Sequence, residues 1–232
     1  MSDTASAVSA GGHAAFLRYP AQAAFGRLLP KNKIYEHSGA GKRLKALFVQ
    51  QVDQIVWQSK LASETINLPA RPGVSEIQVF AIRIKTPELH RDVLRCIDGA
   101  VQFPIVFELS FDDRTQVVAC YKRPSEADPA RWVQSEYFAT PWLPSHAERA
   151  AMPLALDLGA LYEQLLRRLA PLQERPDEAL PELIARHALV VTGQREVDKT
   201  VSQLTQEKQF NRKVEINARL RQLQAELDAW RR

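Results

Sequence analysis

The sequence lacks the patterns on which several common enzyme classes depend. It has only two cysteines, Cys96 and Cys120, in 232 residues, which excludes a disulfide framework. Neither cysteine has the local signature of an activated thiol, and no Gly-x-Ser-x-Gly turn is present for a serine nucleophile. The five histidines are scattered, with no second histidine or cysteine at ligand spacing, which argues against a zinc site. We therefore expect neither a metal centre nor a bound cofactor.

Targeting signals and long apolar runs are also missing. The N-terminus carries Asp3 and no basic run before a stretch of small residues, which is not the pattern of a signal peptide. No apolar run approaches the ~18 residues that a membrane span requires. These features predict a soluble, cytoplasmic protein without a membrane partner.

Residues 74–122 give the clearest prediction of a fold. β-branched and aromatic residues occur on both phases of 76–85, as expected for a central strand that is covered on both faces. Thr86 as an N-cap, an apolar stripe and Gly99 as a stop then predict a short amphipathic helix over 87–98.

Two further strands are predicted after this helix, over 103–111 and 115–122, with Asp112 and Asp113 at the turn between them. A helical crossover usually joins parallel strands, so strand 103–111 is expected to run parallel to strand 76–85. The hairpin makes strand 115–122 antiparallel to its neighbour.

The whole chain is predicted to adopt an α+β fold, a mixed sheet of four or five strands with packed helices and a long C-terminal helix. A short helix is expected between Pro20 and Gly26. The helices expected to pack on the sheet cover 41–61, 87–98 and 157–169, and a further strand covers 132–140. The predicted segments are a disordered tail (1–17), an α/β core (18–172), a linker with a short helix stopped by Gly193 (173–194) and one long uninterrupted helix (195–232).

The C-terminal helix carries an apolar seam at heptad spacing, formed by Ile216, Leu220, Leu223, Leu227 and Trp230. In isolation this seam would expose a large apolar surface to water, so it must pack against something. We predict that it binds a partner chain or a second copy of the protein, with packing on its own body as the alternative. Truncation after Asn211 is then expected to leave a folded core but to abolish association.

The net charge of the chain is only +4, but basic residues are concentrated over residues 27–60. This segment contains seven lysines and arginines and two acidic residues, which gives a local net charge of +5. DNA is a possible partner for this segment, although a solvated helix face is the alternative explanation. The candidate nucleic-acid-binding residues are Lys31, Lys33, Lys42, Arg43 and Lys45.

Weak catalytic candidates occur at Lys60, Asn67 and Glu76. Trp57 and Lys60 lie three residues apart, on one face of the predicted helix 41–61, and the chain then leads through Asn67 to the start of the central strand. Many nucleases hold magnesium with an acidic residue on one strand and an acidic-x-lysine on the next, but no strand here offers Glu-x-Lys. The alternative is a lysine at a helix C-terminus followed by an asparagine turn.

An ordered series of short motifs resembles the bacterial family named domain of unknown function 4391. The motifs cover residues 29–36 (LPKNKIYE), 55–61 (IVWQSKL), 65–67 (TIN), 76–80 (EIQVF), 97–104 (IDGAVQFP), 137–142 (YFATPW) and 208–217 (KQFNRKVEIN). One departure is Gly99, where the family usually has an acidic residue or lysine. The resemblance implies a small companion of helicases and DNA methyltransferases in restriction-like, phage-defence gene clusters.

Three functions follow as hypotheses. The leading one is a non-catalytic adaptor that binds a larger DNA-acting partner, such as a helicase or a DNA methyltransferase. The second is a partner-activated nuclease that uses Glu76 and Lys60. The third is a module that binds DNA directly through the basic segment.

Overall fold

The computed structural model describes residues 16–128, 131–173 and 175–232. The chain divides into two compact units, residues 1–169 and residues 170–232. Of the tail predicted over residues 1–17, the first fifteen lie outside the described residues. Phe16 and Leu17 are fully buried, so these two belong to the folded unit rather than to a tail.

Within the described residues, a mixed sheet of seven strands forms the centre of the first unit. Six strands lie in the spatial order β2 (Ala24–Leu28), β3 (Val52–Ala62), β4 (Glu76–Ile84), β5 (Ile105–Phe111), β6 (Arg114–Pro124) and β7 (Trp132–Ala139). The short β8 (Leu143–Pro144) pairs with β6, and β1 (Leu17–Arg18) pairs separately with β9 (Ala150–Ala151). The prediction of a mixed sheet is confirmed, but the sheet has more strands than the four or five expected.

The strand directions in the centre of the sheet agree with the prediction. β4 and β5 are parallel, because the chain crosses between them through a helix. β5 and β6 are antiparallel and are joined by a tight turn in which Asp112 has a positive φ of 49°. Asparagine and aspartate tolerate this left-handed conformation better than other residues that carry a side chain.

Helices cover both faces of the sheet. On one face, α1 (Lys31–Ser38), α2 (Lys42–Gln51) and α4 (Arg91–Ala100) pack with buried aromatic and aliphatic residues of the central strands. On the opposite face, α5 (Leu158–Leu169) contacts β4, β6 and β7. Asp157 caps α5 as predicted, since its Oδ1 accepts the Ala160 N–H at 2.8 Å. A single helical turn, α3 (Ser63–Ile66), follows β3.

The helix predicted over 41–61 is wrong in its second half. The helix ends at Gln51, and the residues that follow form β3, the longest neighbour of the central strand. Register shifts interrupt β3 between Val52 and Gln54 and between Trp57 and Ser59. Each bulge inserts a residue and changes the phase of the alternation. The first three buried positions, Val52, Ile55 and Ser59, are spaced by three and four residues, which imitates a helix. The short helix predicted after Pro20 is likewise a 3-10 turn followed by β2.

The limits of α4 also differ from the prediction. The helix begins at Arg91, and its N-cap is His90, whose Nδ1 accepts the Asp92 N–H at 3.2 Å, rather than Thr86. The helix continues through Gly99 to Ala100. A buried lysine from β6, Lys122, supplies the cap at this end, which sequence periodicity does not reveal.

The second unit is a helical hairpin. Instead of one uninterrupted helix from 195, the chain forms α6 (Leu180–Gln206) and α7 (Phe210–Arg231). The break contains no glycine or proline; the Glu207 carboxylate accepts the N–H groups of Lys208 and Gln209, the two residues that lead into α7. A long C-terminal helix is therefore confirmed, but in two pieces, and the short helix predicted to stop at Gly193 is the first part of α6.

Gly193 marks the point where α6 and α7 approach each other. A Cβ atom at this position would lie 2.8 Å from Cζ3 of Trp230. The glycine therefore serves close packing within the hairpin instead of ending a helix.

Candidate functional site

Lys60 and Glu76 come together at one end of the two central antiparallel strands. Lys60 on β3 stands directly opposite Gln78 on β4, so the two side chains share a face. The Lys60 Nζ lies 2.6 Å from Oε1 of Glu64 and 3.3 Å from Oε2 of Glu76. We call these four residues the Lys60 cluster.

Glu76 is buried and is held on two sides. The Gln78 Nε2 donates to Glu76 Oε1 at 2.5 Å, while Lys60 approaches the other carboxylate oxygen. Glu76 and Gln78 lie two residues apart on β4 and therefore point to the same face. This face also carries Trp57, because the bulge after Trp57 places it opposite Phe80 while Lys60 stands opposite Gln78. Trp57 and Lys60 thus share a face, as predicted, but on a bulged strand rather than a helix.

The turn of α3 fixes the backbone of Lys60. The Thr65 hydroxyl donates to the Lys60 carbonyl at 2.6 Å and accepts the Ala62 N–H at 2.9 Å. Asn67 ends this turn with a left-handed φ of 54°, and its side chain is exposed. Of the three weak catalytic candidates, the structure pairs Lys60 with Glu76, whereas Asn67 occupies the asparagine turn that was the alternative explanation.

The electrostatics of the cluster favour its charged forms. The hydrogen bond to Glu64, followed by that to Glu76, raises the pKa of Lys60. The same hydrogen bond from Lys60 lowers the pKa of Glu64. Lys60 and the exposed Glu64 therefore form a charged pair at neutral pH, and the buried Glu76 lies on the other side of the same ammonium group.

An open pocket of about 380 Å³ adjoins the cluster through Gln78. Its walls are mainly apolar and aromatic, with lysine, histidine and glutamine side chains among them. The lining residues are Leu29, Lys33, Ile34, His37, Trp57, Gln78, Phe80, Ile97, Ala100, Val101, Gln102 and Phe103. We call it the Trp57 pocket. All of these except His37 fall in four motifs that carry the family resemblance, so motifs far apart in sequence meet at one place.

The loop that forms one wall of the pocket is anchored by Lys122. This side chain is 1% exposed, and its Nζ donates to the carbonyl oxygens of Asp98 (2.5 Å), Val101 and Phe103 (3.2 Å). It therefore caps α4 from inside the protein and holds the loop that presents Gln102 and Phe103. Sequence reasoning missed this lysine because nothing in a strand pattern distinguishes an inward lysine.

Asp98, at the end of α4, lies in the same buried cluster. Its Oδ2 accepts hydrogen bonds from the Tyr137 hydroxyl at 2.5 Å and the Cys120 thiol at 3.6 Å. Lys122 Nζ is 3.8 Å from Oδ1, which has no hydrogen-bond partner among the described residues. Burial, opposed by Lys122 and Tyr137, raises the pKa of Asp98 to about 6.

The basic residues proposed to contact nucleic acid have varied environments. The Lys31 ammonium donates to the carbonyl oxygens of Phe48 (3.3 Å) and Val52 (2.6 Å), and burial lowers its pKa. Lys33 pairs with Glu36 at 3.2 Å. Lys42, Arg43 and Lys45 are exposed on α2, and Lys45 lies over the Tyr35 ring.

Most of the C-terminal seam packs inside the second unit. Leu227 is buried together with Val190 and Val197 of α6, and Leu220, Leu223 and Trp230 pack against them. Ile216 is half-buried. The seam therefore already has a packing surface on α6.

The described residues contain neither a group of metal ligands nor a membrane-spanning helix. In residues 16–128, 131–173 and 175–232, no three His, Cys, Asp or Glu side chains are grouped so that they could hold a metal ion. In the same ranges no helix has the length and apolar character needed to cross a bilayer.

These observations define the class of protein, a three-layer mixed α/β protein whose strands β3 and β4 carry a lysine–carboxylate cluster beside an apolar pocket. The sequence model of the family described as Domain of unknown function (DUF4391) matches residues 17–227. The chain belongs to this family, as the motifs predict. No curated protein and no solved structure matches the chain.

Proposed function

We propose that this protein acts on phosphodiesters and that the Lys60 cluster is its reactive centre. The observation that carries the proposal is the register of Lys60 opposite Gln78. Nucleases of the acidic-x-lysine type need a carboxylate and, two residues later, an amine on the same face of one strand. Here Glu76-Ile77-Gln78 supplies the carboxylate with an amide in place of the amine. Lys60 brings the missing amine to the same place from the adjacent strand.

Each residue of the cluster has a role in this proposal. The Lys60 ammonium would stabilise the charge that develops on a phosphoryl oxygen. Gln78 orients the Glu76 carboxylate through its 2.5 Å hydrogen bond. Glu64 keeps the amine protonated, as the raised pKa of Lys60 indicates.

Magnesium is compatible with the donor set, although fewer than three carboxylates converge. This ion is commonly bound by one or two carboxylates together with substrate phosphates, and Glu64 and Glu76 both approach the same nitrogen atom. When bound by these two side chains, magnesium would polarise the phosphoryl oxygen and activate a water molecule. Both carboxylates are engaged by Lys60, so the ion pairs must open first, which supports activation by a partner.

A cleavage assay on plasmid and single-stranded DNA with magnesium tests this proposal. Glu76→Gln and Lys60→Met are expected to lower the rate by roughly 100-fold or more, because each removes a group that acts in the transition state. Glu163→Gln, which breaks a half-buried ion pair with Arg167 on α5, is the control and should leave the rate unchanged. Absence of cleavage by the intact protein, alone and with a helicase or DNA methyltransferase as the proposed partner, would refute the proposal.

A second candidate function is the adaptor of a phage-defence system that binds a helicase or DNA methyltransferase. It is favoured by apolar side chains at the tip of the α6–α7 hairpin. Phe210 is 78% exposed, and Val201 and Val214 are also exposed. An exposed apolar group of this kind is characteristic of a protein interaction surface.

The adaptor function is tested by co-purification with a helicase or DNA methyltransferase from the same host. The double variant Phe210→Ser/Val214→Ser is expected to weaken capture by roughly tenfold or more, because exposed aromatic anchors dominate interface energies. Leu189→Ser, at another exposed apolar position of α6, is the matched control. These variants test the exposed tip alone, whereas truncation after Asn211 would also remove the packing of α7 on α6. Light scattering on the same samples shows whether the tip instead forms a homodimer.

A further inference from the structure

We infer that the Trp57 pocket receives one unpaired nucleobase of a single-stranded nucleic acid. The inference rests on the proposed function and deepens it, since it names the form of the substrate. A base in this pocket would place the adjacent sugar-phosphate beside Gln78 and therefore beside the Lys60 cluster.

The walls of the pocket suit a flat aromatic ligand. Trp57 is flanked by Phe25, with ring centroids 4.1 Å apart, and by Phe80, at 6.2 Å. These contacts hold the indole in place. Phe103 also lines the pocket, on the loop anchored by Lys122. A volume of about 380 Å³ lies within the range of small-molecule pockets, and every nucleobase has a face that can stack on an aromatic ring.

The polar groups of the pocket match a base rather than a purely apolar side chain. Gln78 and Gln102 bring two amides into the lining, and each amide carries both donors and an acceptor, like the edge of a base. One N–H of Gln78 is already donated to Glu76, whereas the Gln102 amide is exposed. A leucine or phenylalanine of a protein partner would cover the Gln102 amide without pairing it, which is unfavourable.

The pocket lining includes one cationic side chain, that of Lys33, which pairs with Glu36. Lys33 and His37 are exposed there, and the His37 Nδ1 lies 2.8 Å from the Lys33 carbonyl oxygen, which fixes the ring. Cationic side chains beside an aromatic surface are the usual features of proteins that bind single strands.

The ligand must be an unpaired base, because bases inside a duplex are stacked and hydrogen-bonded to their partners. A protein reaches such a base only in a single strand or after it has been flipped out.

Fluorescence anisotropy with the full chain in EDTA tests the inference without any cleavage. The probes are a labelled 12-nucleotide oligothymidylate, an abasic strand of the same length and a 12-base-pair duplex. The oligothymidylate is expected to bind roughly tenfold more tightly than the other two, which is the usual gain from one stacked base. Equal affinity for the thymidylate and abasic strands, or failure to bind either, would overturn the inference.

Variants assign the preference to the pocket. Phe103→Ala and Gln102→Ala are expected to bring the affinity ratio of thymidylate to abasic strand close to one, with unchanged binding of the abasic strand. Gln102 is exposed, so its replacement tests the pocket even if Phe103→Ala lowers stability. Val133→Ala, at an exposed position of β7, is the control and should keep the ratio. A ratio that survives both pocket variants would place the base elsewhere and refute the inference.

The two proposals fail in different ways. Base-dependent binding that requires Gln102 and Phe103, in a protein that cuts no DNA, would support the pocket and refute the nuclease. Cleavage that depends on Lys60 and Glu76, with equal affinity for base-bearing and abasic strands, would do the reverse.

Discussion

At the scale of single residues, Lys122 combines deep burial with a positive charge. Its ammonium binds three carbonyl oxygens at the end of α4 and lies near the buried carboxylate of Asp98. A buried charge is tolerated only when its partners are present, and removing one member leaves the others unpaired. Lys122 is therefore part of the structural support of the Trp57 pocket.

Replacement of Lys122 is expected to destabilise the protein strongly. Lys122→Met should lower the free energy of unfolding by at least about 3 kcal/mol, since it leaves carbonyl groups and the Asp98 carboxyl without their partner. Lys85→Met is the matched control, because Lys85 donates to the Val49 carbonyl at the exposed surface, and it should cost less than about 1 kcal/mol. Urea unfolding of both variants provides the measurement, and equal losses would contradict the structural role of burial.

Asp98 makes stability depend on pH. Burial raises its pKa in the folded protein from 3.8 to about 6, so the folded state holds the proton more tightly than the unfolded state. The contribution of the neutral carboxyl is fully present below pH 3.8 and is lost as the pH rises to 6. This change corresponds to roughly 3 kcal/mol.

The variant Asp98→Asn removes this titration. Relative to the original protein, it is expected to gain stability as the pH rises from 4 to 7.5, because an amide cannot lose a proton. The free energies of unfolding of both proteins, measured at the two pH values, give the result. A stability difference that is the same at both values would show that Asp98 does not titrate in this range.

At the scale of the elements, the hairpin of the second unit depends on close contact at Gly193. In a helix interior, alanine is normally more favourable than glycine by up to about 1 kcal/mol. At Gly193, however, the added methyl group would collide with the Trp230 ring, 2.8 Å away. Overpacking of this kind typically costs about 1–3 kcal/mol, so the steric effect outweighs the helix propensity.

Gly193→Ala is therefore expected to be destabilising, with faster hydrogen exchange in α7. Gly99→Ala is the matched control, because nothing lies within 4 Å of the added Cβ in α4, and it should leave stability unchanged or slightly raise it. Adding Trp230→Ala to Gly193→Ala should remove the clash and the additional loss. If Gly193→Ala behaves like Gly99→Ala, the packing of Trp230 on α6 is not as described.

At the scale of the whole molecule, each of the two units has its own apolar cluster. The first contains α1, α2, α4 and one face of the sheet, and the second contains Val190, Val197 and Leu227. Independent clusters are the basis of independent folding. A chain that ends at Leu169 is expected to unfold cooperatively with the circular dichroism of a mixed α/β protein. A molten, non-cooperative product would show that the first unit requires the second.

The sequence by itself determined the centre of the sheet. The alternation in Glu76–Ile84, the crossover helix and the turn at Asp112 are local signals, and they gave the parallel and antiparallel pairings correctly. It also determined the family, because short motifs identify relatives even when their spatial relation is unknown. Lys60, Asn67 and Glu76 stood only as weak candidates, and they rested on a helix over 41–61 whose second half is a strand.

Only the tertiary structure decided where the bulges of β3 lie, that Lys122 caps α4, and that the chain folds back after Gln206. Each depends on groups distant in sequence. The position of a bulge is set by the partner strand, and the burial of a lysine is made possible by the carbonyl oxygens that it contacts. A helix break without glycine or proline is set by the surface that the second helix covers. Gln78 is the clearest case. Its place in the Lys60 cluster depends on Lys60, which is eighteen positions earlier in the chain but lies directly opposite Gln78 in the sheet.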